Sequence, residues 1–385
     1  MKILQISNYQ YPHIGGIEQT SRDIANTLSG CDGIEQKIIC FNEDASDGQI
    51  ICHRQETVHD VINDVEIVRC GCFAKIASQS LSFTYPKELK KMLAGFKPDV
   101  AIFHYPNPFV ASFLLPLLPS KTKLVLYWHL DIVKQKLLGK LFNGQSEILC
   151  KRANVIVATS PNYIQNSPFL KRYAGKTVVI PSCIQEERLM DNPNTQRKIL
   201  DIRNRYPSKT ICFALGRHVP YKGMEYLIRA SKLLEDSFVV LIGGSGELTE
   251  QLKSLARDDS KVVFLGKIPE DNMVAYYKAC DIFCFPSITK NEAFGLSLAE
   301  AMYFGKPTVT FTIPGSGVNY VSINKVTGIE CPNRDYQAFA AAICELQRNR
   351  KLADDLGAAA RQRCCDNFLF EQYSESIKAL ILQIQ

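Results

Sequence analysis

Asn291-Glu292-Ala293-Phe294-Gly295-Leu296-Ser297-Leu298-Ala299-Glu300-Ala301 places two carboxylates eight positions apart across a break in structure. Upstream, Asp281-Ile282-Phe283-Cys284-Phe285-Pro286-Ser287 reads as a buried strand that ends at a proline. Downstream, apolar residues recur at helical spacing from Leu296 to Phe304, and Gly305 with Pro307 stops the helix. Glu292 then lies in the loop at a strand's carboxyl end. Glu300 rides the first turns of the next helix, where unpaired backbone N–H groups point outward. A loop, a glycine and a helix N-terminus at that edge of an α/β sheet suit an anionic ligand; the alternative is a surface helix that happens to carry a glutamate.

The same unit recurs nearby. A strand over 211–215 leads into Gly216-Arg217-His218-Val219-Pro220-Tyr221-Lys222-Gly223 and a helix through 233. An arginine and a lysine five positions apart beside a helix N-terminus suit a diphosphate, because guanidinium binds phosphate oxygens in pairs and lysine adds a point charge. Exposed surface cations are the plain alternative. A strand over 238–242 enters Gly243-Gly244-Ser245-Gly246, and one over 262–265 ends at Gly266-Lys267-Ile268-Pro269, where backbone groups could read the edge of a base. Four consecutive strand ends with glycine loops would open onto one crevice of a doubly wound sheet. After a strand over 308–311 and the turn Pro314-Gly315-Ser316-Gly317, helices over 335–348, 350–366 and 370–384 fill the rest.

The first half alternates in the same way: strands over 2–7, 37–41, 65–70, 100–104, 123–127, 154–159 and 176–181, with helices over 17–28 and 86–95. That alternation predicts a parallel sheet with helices on both faces. Gly15-Gly16 precedes the first helix without the spacing of a dinucleotide fingerprint, so NAD is not expected. His129 falls at a strand's carboxyl end, where such folds place ligands, although a lone histidine is more often structural. Periodicity fades over 182–205, which marks a domain joint. The expected organisation is an N-terminal domain over 1–181, a C-terminal domain over 182–365, and a last helix over 366–385.

At 385 residues, with 46% hydrophobic and 22% charged residues, the chain is an ordinary globular protein of two domains. Its start reads as a buried strand rather than a signal peptide, and no apolar run approaches the ~18 residues of a membrane span. Fourteen cysteines without a Cys-x-x-Cys pair point to reduced core thiols and a cytoplasmic setting. Cys52, His53, His59, Cys70 and Cys72 match no standard zinc spacing, so no metal is expected. The net charge of +6 is uneven: fifteen basic residues against four acids between Lys75 and Lys176 leave an excess of +11 there. That half should prefer an anionic partner. No nucleic-acid module is visible, which leaves an anionic membrane surface or a phosphate-bearing acceptor, or a solvated basic face with no partner.

Together, Arg217 and Lys222, Glu292 and Glu300, Gly15-Gly16 and His129 resemble the retaining glycosyltransferases of family 4, over essentially the whole chain. Gly-Gly-Ile-Glu-Gln at 15–19, the run 131–136, Ser160-Pro161-Asn162-Tyr163 and Pro314-Gly315-Ser316-Gly317 are similar to the GDP-mannose-dependent mannosyltransferases of bacterial exopolysaccharide and O-antigen synthesis. The resemblance implies two Rossmann-like domains facing across a cleft, the GT-B architecture, with the last helix crossing back. It implies that Arg217 and Lys222 hold the donor diphosphate, helped by Gly16, Gly216 and Gly244. Lys267 and Ile268 would meet the base, Glu300 the ribose, and Glu292 a hydroxyl of the sugar. Ala293 and the N–H groups of Phe294, Gly295 and Leu296 complete the donor site. His129 would contact the 6-hydroxyl end of the sugar, and His104, Asp131 and Lys134 are expected on the acceptor side. No cofactor or metal is expected, since no Asp-x-Asp pair appears beside these cations. Leu130 stands where relatives generally carry serine, which leaves Asp131's role open. The partners implied are a nucleotide sugar and a lipid-linked or oligosaccharide acceptor at the inner membrane face. Alternatives are another donor (GDP-rhamnose or a UDP-sugar), a nucleotide-sugar-binding protein without catalysis, or an epimerase or phosphorylase of the same architecture.

Overall fold

A computed structural model describes residues 1–12, 15–43, 55–76, 79–132 and 139–384, with the backbone alone for 139–141. The chain divides into two compact units. One comprises Met1–Thr159, Ile164–Ile180 and Tyr373–Gln385, the other Ser160–Tyr163 and Pro181–Gln372.

The first unit contains β1 (Lys2–Ile6), β2 (Glu35–Phe41), β3 (Val58–Ile62), β4 (Val65–Cys70), β5 (Ala74–Ile76), β6 (Gln79–Leu81), β7 (Val100–Tyr105), β8 (Lys123–Trp128), β9 (Val155–Ala158) and β10 (Thr177–Val179). Eight of these form one sheet in the order β10-β9-β8-β7-β1-β2-β4-β3, and β5 pairs with β6 as a separate antiparallel hairpin. Only β3 runs antiparallel to its neighbour in the large sheet. Val-Ala-Ile-Phe-His-Tyr of β7 is buried at every position, as a parallel strand covered by helices on both faces requires. The helix Tyr85–Gly95 shows how a covering helix reads: Tyr85, Leu89, Met92 and Leu93 face the core, and Lys87, Lys90 and Lys91 face water. Strand order reverses between β1 and β7, so the loops after them flank this unit's switch point.

The second unit holds β11 (Thr210–Leu215), β12 (Phe238–Gly243), β13 (Val262–Gly266), β14 (Ile282–Phe285), β15 (Thr308–Phe311) and β16 (Gly328–Cys331), in the order β13-β12-β11-β14-β15-β16. All pairs are parallel. The reversal falls between β11 and β14, where Cys212 and Phe213 register with Ile282 and Phe283. The loops that follow these two strands carry Arg217 and Lys222 on one side and Glu292 on the other, so they leave the sheet as neighbours.

The structure refines the sequence expectation at several places. Within the stretch 182–205, Thr195–Arg205 is a helix of the second unit, not recognised from the sequence, that buries Ile202 and leaves most of its charged surface in water. Its weak periodicity reflects one narrow buried stripe. Ser160–Tyr163 groups with the second unit rather than the first, whereas the last helix, Phe370–Ile384, groups with the first unit from Tyr373 onward, as expected of a helix that returns to it. A helix over Pro108–Leu117 and the short strand β16 were not anticipated.

Asp281 anchors the new helix. Its carboxylate accepts from Arg203 Nη1 and Nη2 at 3.0 and 2.9 Å and from the Ile211 backbone N–H at 2.8 Å. Asp281→Ala should therefore lower the unfolding free energy by about 1–3 kcal/mol, since it strands a backbone donor as well as a cation. The urea midpoint measures this, and an unchanged midpoint would contradict the assigned role.

Candidate active site

The loop after β11 and the loop after β14 are tied together at three places. Lys222 Nζ pairs with Glu292 Oε2 at 2.5 Å. Ile288 N donates to Tyr221 O at 2.9 Å. Gly223, at φ 61°, lies so near the other loop that a Cβ would sit 2.2 Å from the Pro286 carbonyl oxygen, which only glycine permits. Glu292 Oε2 also accepts from Ser287 Oγ at 2.9 Å, while its carbonyl oxygen accepts from Ser316 Oγ at 2.5 Å. The Lys222 ammonium stands 5.1 Å from the Phe285 ring centre, a cation–π distance. Arg217 is exposed, with its Nη2 donating to Tyr221 OH at 3.4 Å. Lys222 is thus a fixed cation and Arg217 a reachable one.

Below Arg217, the loop is stitched to its neighbour. His218 is buried, its N–H donates to Ser245 O at 3.0 Å, and its Nδ1 shares a hydrogen bond with Thr249 Oγ1 at 2.9 Å. Burial, then the Lys253 charge, lowers the His218 pKa, which favours a neutral ring. Gly216 N donates to Gly243 O at 3.1 Å. Gly244, at φ 110°, would push a Cβ to 2.0 Å from the Gly216 carbonyl oxygen, so glycine is again required. Lys267 is exposed beyond β13, and Ile268 packs over Gly243, its Cδ1 2.6 Å from where a Cβ would be.

The helix Leu296–Tyr303 starts behind Gly295. Leu298 and Ala299 are the first N–H groups accepted within it, by Gly295 O at 3.0 and 3.1 Å, so those of Leu296 and Ser297 precede the helical ladder. Ser297 Oγ donates to Leu215 O at 3.1 Å and pins this helix end to the end of β11. The Phe294 ring is core, edge-on to Phe368 at 5.3 Å, which leaves its backbone for a site; the Ala293 carbonyl is covered by Gly317. Glu300 is partly buried and accepts from Tyr277 OH at 2.6 Å. Burial raises its pKa, against the pull of that hydrogen bond and of the Arg188 charge. The structure therefore gathers Arg217, Lys222, Glu292 and the turn to Leu296 around one switch point, with Glu300 one helical turn further on. Sequence reasoning missed Ser287, Ser316 and Tyr277. Only Ser316 carried a signal, its place in the Pro314–Gly317 turn.

In the first unit, Gly16 opens the helix Gly16–Ser29, and a Cβ there would meet nothing within 4 Å, so the surrounding packing does not demand glycine. The loop leading to it is held by Arg69, a fully buried side chain of β4 that no motif announced. Its Nη1 and Nη2 donate to Gln10 O at 3.4 Å and Tyr11 O at 2.5 Å, and Nη2 pairs with Asp60 at 3.2 Å.

His129 directly follows β8 and is buried beside His104, with His104 Nδ1 and His129 Nε2 3.0 Å apart. His104 Nε2 lies 3.2 Å from Gln5 Oε1, which also accepts from Ser21 Oγ at 3.2 Å. Burial depresses the His104 pKa to about 3; His129 is held well below the usual histidine range by burial and then by His104. This corrects the acceptor-side expectation for His104, which is wholly enclosed and supports His129 from behind. Asp131 is corrected likewise: its buried Oδ1 accepts from Trp128 Nε1 at 3.0 Å and Ser167 Oγ at 2.8 Å, so it shapes the loop. Lys134 lies outside the described residues, as do Cys52 and His53. Cys70 and Cys72 are buried, and His59 stands 3.7 Å from Glu66.

Sucrose-phosphate synthase from Thermosynechococcus elongatus superposes with a TM-score of 0.78 at 18% identity, covering 100% of this chain and 98% of that one, which fixes the fold as GT-B with two Rossmann-like units. Residues 14–188 match the family described as Glycosyltransferase Family 4, and residues 195–363 match Glycosyl transferases group 1. O-antigen chain mannosyltransferase C of Escherichia coli is 30% identical over 94% of this chain and 93% of its own. D-rhamnosyltransferase WbpZ of Pseudomonas aeruginosa is 29% identical over 94% and 91%. A GDP-mannose-dependent alpha-(1-6)-phosphatidylinositol monomannoside mannosyltransferase of Mycobacterium tuberculosis is 29% identical over 49% of this chain and 51% of that one. The chain belongs to glycosyltransferase family 4, and glycosyl transfer is its activity.

The buried histidine pair makes stability depend on acid in a defined direction. Between the ordinary value of 6.5 and about 3, the unfolded chain carries a proton on His104 that the folded chain refuses, so stability falls as pH falls through that window. His104→Gln should flatten this fall, by up to ~1.4 kcal/mol per pH unit. Urea unfolding at a series of pH values reads it, and parallel curves for the two proteins would refute the assignment.

Proposed function

We propose that this enzyme transfers an α-mannosyl residue from GDP-mannose, with retention, to a lipid-linked or oligosaccharide acceptor in bacterial surface polysaccharide synthesis. The observation that carries the reading is the cation pair Arg217 and Lys222 set against Glu292 and a helix N-terminus at one switch point. The mannosyltransferase relative over 94% of the chain favours mannose, and the shorter GDP-mannose-dependent match favours guanosine diphosphate.

In this reading, Arg217 takes the phosphate oxygens in pairs, and Lys222 meets the charge that grows on the leaving diphosphate. The N–H groups of Leu296 and its neighbours add to that field. We assign no metal or organic cofactor to the step, because these groups supply the positive charge it needs. Glu292 receives a hydroxyl of the sugar rather than attacking its anomeric carbon, since its Oε2 is already held by Lys222 and Ser287. The acceptor's proton passes to the departing phosphate in a front-face reaction. Glu300 takes the ribose, Lys267 and Ile268 the base. Gly16 and His129 keep the roles that the family motif gives them, at the phosphate and at the sugar's 6-hydroxyl.

A second reading changes only the donor sugar, to GDP-rhamnose, and is favoured by the rhamnosyltransferase relative. Thermal shift against GDP, UDP and ADP tests the base: GDP should stabilise most, and preference for UDP would sink both readings. Transfer assays with GDP-mannose and GDP-rhamnose then separate the sugars. Arg217→Ala should lower kcat about 10²–10³-fold while leaving the melting temperature of the free protein unchanged. Donor binding and turnover equal to wild type would remove the diphosphate role.

A further inference from the structure

The surface beside the β5–β6 hairpin does not belong to the donor site. Phe73 precedes the hairpin and Phe83 follows it, and their rings stack at 4.0 Å with planes 10° apart. A stacked pair of this kind is usually buried, yet Phe83 is 71% exposed and Phe73 45%, and Ile76 on the hairpin is 63% exposed. The hairpin is closed by Phe73 N donating to Leu81 O at 3.0 Å and is held to the unit by Ser80 Oγ, which donates to Glu43 Oε2 at 2.6 Å, and by Lys75, which reaches Glu43 at 3.3 Å. The three apolar side chains are therefore held outward by structure.

The neighbouring charge identifies the partner. Phe83 stands two residues before the helix Tyr85–Gly95, whose outer face presents Lys87, Lys90 and Lys91. Leu89, Met92 and Leu93 hold the opposite face in the core, so the lysines cannot turn inward. Among the described residues no helix is long and apolar enough to cross a membrane. Exposed aromatic rings beside lysines match the two layers of an anionic bilayer surface. Rings settle at the boundary between headgroup and acyl chain, and ammonium groups stay with the lipid phosphates. A protein partner would have to supply both an apolar socket and an acidic rim, and a second copy of this face would bring lysine against lysine.

We propose that Phe73, Phe83 and Ile76, with Lys87, Lys90 and Lys91, form the face by which the first unit docks on an anionic lipid bilayer. The proposal rests on the lipid-linked acceptor of the preceding section. Docking would bring the enzyme to a substrate confined to two dimensions and raise its effective concentration.

Flotation with vesicles of zwitterionic lipid alone and with 30% phosphatidylglycerol (about that fraction suffices to set a negative surface potential) tests it without donor or acceptor. Wild type should float with the anionic vesicles, release as salt rises, and ignore the neutral ones. F73S/F83S and K87E/K90E/K91E should each bind at least tenfold more weakly, a lysine near such a surface being worth about fivefold. Unchanged melting temperature and GDP binding in these variants exclude misfolding. Wild type that fails to float, or variants that float as well as wild type, would overturn the proposal. So would a wild-type dimer that F73S/F83S converts to monomer, which would make the face a self-interface. Failure of the donor reading would appear separately, as loss of GDP-induced stabilisation in the wild type.

Discussion

The contact on which the second unit's site depends is the ion pair between Lys222 and Glu292. Both groups are largely withdrawn from water, with side chains 12% and 10% exposed, so each carries a desolvation cost that the other must offset. The 2.5 Å approach and the Ser287 hydroxyl meet that demand. The consequence is geometric. Two loops that belong to different strands, on either side of the sheet's reversal, acquire one fixed spacing. Gly223 and the Ile288-to-Tyr221 hydrogen bond reinforce it from the backbone. Arg217 lies outside this lock and keeps its freedom, so the site combines a preset charge with an adaptable one.

The first unit solves the same topological problem with neutral groups. Its reversal lies between β1 and β7, and a buried polar chain crosses it from Gln10 through Ser21 and Gln5 to His104 and His129. Charged side chains in that position would need counter-charges in the core. Depressed histidine pKa values avoid them, at the expense of acid stability. Arg69 is a buried charge nearby, and it is tolerated because the carbonyl oxygens of Gln10 and Tyr11 and the Asp60 carboxylate surround its guanidinium.

What the sequence made legible follows from range. The central strands of both sheets are buried on both faces and read as apolar runs, and glycines mark the carboxyl ends of strands in the second unit, so the alternation and the Arg217, Lys222 and Glu292 loops could be placed from local pattern. The helix Thr195–Arg205 could not, because one buried isoleucine stripe among charged residues has too little contrast. Pro108–Leu117 failed for the opposite reason: it is apolar on nearly all sides and has a proline within it, so no period emerges. His104 and His129 look alike in sequence, each near the end of a parallel strand. The fold separates them: His104 lies within β7, wholly enclosed, and backs His129, which follows β8. The place of Asp131, whose role the sequence left open, depends on partners, Trp128 and Ser167, that folding brings to it.

The two glutamates that stand eight positions apart end with different chemistry, and environment rather than residue type decides it. Glu292 meets an ammonium and a hydroxyl, so its negative charge is held in place and is poorly available for attack on carbon. Glu300 sits where burial resists its charge, with the Tyr277 hydroxyl as its hydrogen-bond donor at 2.6 Å. A carboxylate in that condition gains from further donors, because each added hydrogen bond relieves a desolvation cost already incurred in the fold. Vicinal hydroxyls of a ribose are donors of that kind, whereas a phosphate would add charge of the wrong sign. In the proposed reading, Glu292 in the loop and Glu300 on the helix would sort a ligand by polarity, its anionic portion near Lys222 and Arg217 and its hydroxyl-bearing portion at Glu300.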